Sequence, residues 1–197
     1  MFDDKEIKYL QDTDFLSTKA QIIGKVRSLL ESIATSSYTV LDKASATLPP
    51  GTLNKNAKIS KGENYLNLPY MVLDYPRIFT QESTMACRHM FWWGNFFSST
   101  IHLQGKVLES CRDQILENLP LIRNQGVYFC VHEAPWTYHY QEDNYRKVDD
   151  FAVEDLEELI KQRTFLKFSR FLLIPEWQNF HNYAIQSLEL FLQVIKK

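Results

Sequence analysis

Cysteine is scarce in this chain, and what there is forms no pattern. The 197 residues contain three Cys, at positions 87, 111 and 130. An odd count without CxxC spacing argues against a disulfide framework and fits free thiols in a reducing compartment. Repeats and low-complexity tracts are also missing, so no linker divides the chain. No stretch approaches the roughly 18 uninterrupted apolar residues that a membrane-spanning helix requires. The opening residues, MFDDKEIKYL, are acidic where a secretory leader would be basic, and no apolar run follows. The expected compartment is therefore the cytoplasm. A formal net charge of -2 supplies no basic surplus for neutralising phosphates, so neither nucleic acid nor a membrane is an expected partner. Two catalytic signatures are absent as well. Lys61-Gly62 lacks the repeated glycines of a phosphate cradle, and HEAPWTYH (132–139) lacks the HExxH spacing that sets two histidines on one helical face.

What the chain does have is aromatic side chains, 14% of residues, concentrated in its middle. Hydrophobic residues make up 45% and charged ones 23%, ordinary values for a globular domain able to bury its own core. The periodicities predict a single α+β domain over 1–197, with a helical segment at 1–48 and a sheet with helices over 57–197. Asp3 and Asp4 suit the start of a short helix. Thr13 or Asp14 caps a longer one, whose stripe runs through Phe15, Ile22, Val26, Leu29, Ile33 and Val40. Ala34–Ser37 is a candidate kink, and Pro49-Pro50-Gly51 ends the helix. Leu108, Cys111, Ile115 and Leu119 mark another helix, as do Val153, Leu156 and Ile160. Pro175 opens a final helix reaching about Ile195. An antiparallel sheet of about five strands is expected, around 70–75, 85–93, 96–104, 127–133 and 165–174. A short strand at 57–60 and a return at Trp136–Tyr140 are further candidates. Arg170 stands in an apolar row, where it must either reach solvent or meet a buried acid.

Met85–Gln104 is the organising stretch. Two aromatic-rich runs flank Gly94-Asn95, a pair suited to a two-residue hairpin turn. That turn sets Cys87 opposite His102, Phe91 opposite Ser98 and Trp93 opposite Phe96. One face then holds Ala86, Met90, Trp92, Phe97, Ile101 and Leu103, with Arg88 as the exception, and reads as core. The other holds Cys87, His89, Phe91, Trp93, Phe96, Ser98, Thr100 and His102, and mixes aromatics with titratable groups.

Three functional expectations follow. An aromatic and histidine-lined groove would bind a small ligand through His89, Phe91, Trp93, Phe96, Thr100 and His102. Asp74 and Arg77, which bracket Tyr75-Pro76, would stand at its mouth. A protein-interaction module is the companion reading, with the N-terminal helix as a homodimer seam. The alternative is a metal-assisted hydrolase in which Cys87, His89 and His102 hold zinc or another divalent ion, with a fourth position open to water. A Cys87 nucleophile with His102 as base and Asp74 as orienting group is a further arrangement. A mid-strand thiol, however, lacks the electropositive, exposed setting of a reactive one. No cofactor is expected on the principal reading.

Overall fold

Four consecutive strands form an antiparallel meander: β1 (Lys58–Tyr65), β2 (Leu68–Phe79), β3 (Ser83–Trp92) and β4 (Phe96–Gly105). Three later strands, β5 (Tyr128–Cys130), β6 (Tyr145–Lys147) and β7 (Phe165–Leu173), complete a seven-stranded sheet of order β1-β2-β3-β4-β7-β5-β6. This computed structural model describes residues 1–196. The result is the expected single α+β domain with a mainly antiparallel sheet, but with seven strands and not about five. The difference lies in β1, which extends the short strand expected at 57–60, and in β6, inside a stretch that reads as a polar loop. Trp136–Tyr140 forms no strand and crosses the sheet as irregular chain.

The helices are α1 (Asp4–Gln11), α2 (Thr13–Lys43), α3 (Lys106–Glu117), α4 (Val153–Gln162) and α5 (Phe180–Ile195). Helices α2, α3 and α5 cover one face of the sheet. Their stripes supply Leu30, Ile33, Leu41, Leu108, Ile115, Leu188 and Phe191, and the strands answer with Met71, Leu73, Met85, Phe97, Ile101 and Phe168, all buried. Helix α2 runs without a break through Ala34–Ser37. Pro175 opens a 3₁₀ turn that leads into α5 at Phe180. Arg170 takes neither expected course. Its guanidinium lies on the Tyr183 ring, 4.4 Å from the centroid, and donates to Ser187 Oγ at 3.1 Å. Among the described residues, no helix is long and apolar enough to cross a membrane.

The hairpin register differs from expectation by one residue. The connection is a three-residue loop, Trp93–Asn95, closed by Asn95 N donating to Trp92 O at 3.1 Å. Trp92 therefore faces Phe96, Arg88 faces Thr100 and Ala86 faces His102. A one-residue slip sends every side chain of one strand to the other face relative to its neighbour. Cys87, His89 and Phe91 thus lie under the helices with Phe97, Ile101 and Leu103. Phe96, Thr100 and His102 lie on the opposite side with Arg88, Met90 and Trp92.

Candidate functional site

The helix-free face carries a polar rung that crosses every strand of the sheet. Its consecutive register partners are Lys58, Asp74, Arg88, Thr100, Ser169, Tyr128 and Lys147. On one side of the rung lies an apolar and aromatic cluster of Val72, Met90, Trp92, Phe96 and Tyr138, with Tyr65, Tyr70 and Phe171 packed on it. On the other side His102 faces Lys167 across β4 and β7. Chain 131–144 covers this face and is held largely by side chains. Tyr65 Oη accepts from Tyr138 N at 2.6 Å and His139 N at 3.1 Å, Lys167 Nζ donates to Thr137 O at 2.5 Å, and Arg163 donates to His132 O at 3.0 Å.

Arg88 is the centre of the arrangement. Its Nε and Nη2 donate to the two Asp74 carboxylate oxygens at 2.7 and 2.9 Å, and Nη1 donates to Tyr138 Oη at 3.0 Å. Such a bidentate pair fixes the guanidinium plane as well as compensating its charge. Burial pushes the Tyr138 hydroxyl up to about 12 against the lowering effect of the Arg88 charge, so it meets Arg88 as a neutral phenol. Beside Arg88 is a cavity of about 190 Å³ lined by Tyr65, Tyr70, Val72, Met90, Trp136 and Tyr138. Gly62 gives Tyr70 room to lie across β1 there, since a Cβ at that position would meet the ring at 2.5 Å.

Lys167 is fully buried and, among the described residues, has no carboxylate partner. Its ammonium sits 4.7 Å from the Tyr138 ring centre and 5.1 Å from that of Tyr145. Burial, reinforced by the Arg88 charge, lowers its pKa to about 8. His102 is pushed down to about 4 by burial and then by the Lys167 and Arg88 charges, with nearby Gln104 opposing, and among the described residues neither ring nitrogen makes a hydrogen bond of normal geometry. Its ring packs edge-on against Trp136 at 5.2 Å.

The lowered Lys167 pKa has a readable sign. The native state releases this proton near pH 8 while the unfolded chain holds it to about 10.4, so this group's contribution to stability rises with pH between those limits. Burial raises the pKa of Cys87, Cys111 and Cys130, which act in the opposite direction over the same interval. Comparison with Lys167→Met isolates the lysine. Urea unfolding should show wild type gaining about 1 kcal/mol relative to Lys167→Met between pH 7.5 and pH 9. A difference that stays flat with pH would mean that Lys167 is not held in this depressed state.

The structure brings together only part of the sequence-predicted set. Asp74, Phe96, Thr100 and His102 lie on the helix-free face. His89 and Phe91 are core residues under the helices, and Trp93 belongs to the hairpin turn and packs tilted against Phe91, with ring centres 5.3 Å apart. His89 Nδ1 meets Ser99 Oγ at 2.9 Å and its Nε2 lies 3.7 Å from Cys87 Sγ, but His102 is on the other side of the sheet. The trio Cys87, His89 and His102 is therefore split. Among the described residues, no group of three His, Cys, Asp or Glu is placed to hold a metal ion. The same split separates Cys87 from a His102 base. Arg77 does not pair with Asp74. A register shift at Tyr75-Pro76, whose peptide bond is cis, turns it toward Asn56 O, 2.7 Å from its Nε.

Missing from the expected set are Arg88, Lys167, Tyr65, Tyr70 and Tyr145. The two cations were visible as exceptions inside apolar strand runs, STMACRHMFW and FLKFSRFLL. No protein-family model matches the chain, and no curated protein or solved structure is detectably similar to it.

Proposed function

We propose that this domain binds a small, ring-sized molecule on the helix-free face of its sheet, with Arg88 as the polar anchor. The observation that carries this reading is the donor capacity of Arg88 in the cavity wall. A guanidinium has five N–H groups, and Asp74 and Tyr138 take up three of them. The remaining two belong to a group in the lining of a cavity otherwise walled by Tyr, Trp, Val and Met side chains. Aromatic and apolar walls with a few placed polar groups are the usual composition of a small-molecule site. An apolar cavity of about 150 Å³ accepts benzene, so about 190 Å³ suits one ring bearing a short substituent. Asp74 already compensates the Arg88 charge, which favours a ligand offering one acceptor oxygen over a multiply charged anion.

Thermal shift with a panel of single-ring compounds carrying a carbonyl or carboxylate oxygen tests the proposal. A ligand present at 100 times its Kd stabilises by about 2.7 kcal/mol, or roughly 5–10 °C in Tm for a domain of this length. Met90→Trp fills the cavity and should abolish the shift while leaving the fold intact. No compound raising the wild-type Tm, or equal shifts in Met90→Trp, would overturn the reading.

A further inference from the structure

The N-terminal helices expose apolar surface that nothing among the described residues covers. All eight residues of α1 are exposed, although a complete capping box between Asp3 and Glu6 fixes its start. The buried stripe of α2 begins only at Val26 and continues through Leu30, Ile33 and Leu41 onto the sheet. The same stripe extends towards the N-terminus through Phe15, 49% exposed, and Leu16, 48% exposed, with Phe2, Ile7 and Leu10 of the preceding segment exposed as well. Further along α2 an apolar groove of about 280 Å³ lies between Ile22, Val26, Leu29, Phe91, Phe97 and Trp177. Unpaired apolar surface concentrated on one projecting element marks an interaction site.

Charge identifies the occupant. Residues 1–14 carry five carboxylates (Asp3, Asp4, Glu6, Asp12, Asp14) against two lysines, while residues 15–30 carry Lys19, Lys25 and Arg27 and no acid. Among the described residues Lys19 and Arg27 have only long ion-pair contacts, 3.7 Å to Glu63 and 3.7 Å to Glu31. The acidic end and the basic stretch are thus complementary to each other, but a single chain does not fold one onto the other. We propose that a second copy of this chain docks here, the two α2 helices running antiparallel about a two-fold axis near Leu16. Each acidic segment then lies along the other copy's basic stretch. The Phe2, Ile7 and Leu10 side chains meet the partner's groove, and the contact is self-complementary, as a two-fold interface requires. The acidic excess of 1–14 opposes docking on an anionic lipid surface.

Light scattering on size-separated full-length protein tests this with two charge-reversed variants. One combines Asp3→Lys, Asp4→Lys and Glu6→Lys, and the other combines Lys19→Glu, Lys25→Glu and Arg27→Glu. Wild type should be dimeric, each variant alone should dimerise roughly 100-fold more weakly, and an equimolar mixture should restore the dimer. Leu16→Asp, an exposed change with a wild-type circular dichroism spectrum, should give a folded monomer. A monomeric wild type at high micromolar concentration, or variants that dimerise alone as wild type does, would overturn the proposal. So would a mixture that stays monomeric.

Discussion

Acidification from pH 6.5 to pH 4 should cost the protein about 5 kcal/mol of stability, because burial lowers the pKa of His89 to about 3 and of His102 to about 4. The sign is set by the direction of both shifts. The unfolded chain protonates these rings near pH 6.5, whereas the native state leaves them neutral until well below. Unfolding therefore takes up two protons, and stability falls by up to about 2.7 kcal/mol per pH unit through this window. The penalty is comparable with the 5–15 kcal/mol that holds an ordinary domain together. The two sites reach it differently. His89 is bonded to Ser99 under the helices, while neither His102 nitrogen makes a well-formed hydrogen bond among the described residues. Replacing the His102 ring is the informative variant. Urea titrations at half-unit intervals should show the slope in His102→Phe reduced to about half. A stability that does not change between pH 6.5 and pH 5 would rule out neutral burial of these two rings.

Gly105→Ala should be the most damaging single-methyl addition in the sheet. Gly105 adopts φ +65° and ψ -143°, a region essentially confined to glycine, at the junction of β4 and α3. An added Cβ would also stand 2.0 Å from Glu82 O, a backbone atom that cannot rotate away. That same carbonyl accepts from Lys106 N at 3.1 Å, so moving it would break the tie between the start of α3 and the turn before β3. A loss of about 3 kcal/mol is expected, which lowers Tm by roughly 6–12 °C at this chain length. Gly24→Ala is the control, since its Cβ meets nothing within 4 Å and the helix gains propensity. Scanning calorimetry that ranks Gly105→Ala at or above the control would contradict the strain argument.

Helix placement was legible because the stripes through 26–41, 108–115 and 184–195 obey one period and face one core. The hairpin register was not. Chain on one side and helices on the other cover both faces of this sheet, so β2 buries consecutive residues from Met71 to Pro76 and the usual alternation disappears. With no alternation to check against, Gly94-Asn95 alone decided the register, and Trp93 belongs to the turn. The site was half legible for the same reason. Arg88 stood out within an apolar row, and Asp74 was an acid on a neighbouring strand, but pairing them needs the correct register. Lys167, His102 and the covering Trp136-Tyr138 segment come together only through chain 131–144, whose course carries no periodic signal.

The strand order has a consequence for how the chain is made. β7 lies between β4 and β5, yet Phe165 is synthesised after every other strand is complete. Until then a nascent chain can assemble the β1–β4 meander, whose contacts are local, and the small β5–β6 pair, but not join them. The outer edge of β4 stays open for that period with Phe96, Phe97 and Ile101 along it, an unpaired strand of the kind that invites pairing with another chain. The last long strand to leave the ribosome is therefore the seam of the sheet, and a chain ending before Phe165 lacks the element that makes the two parts one.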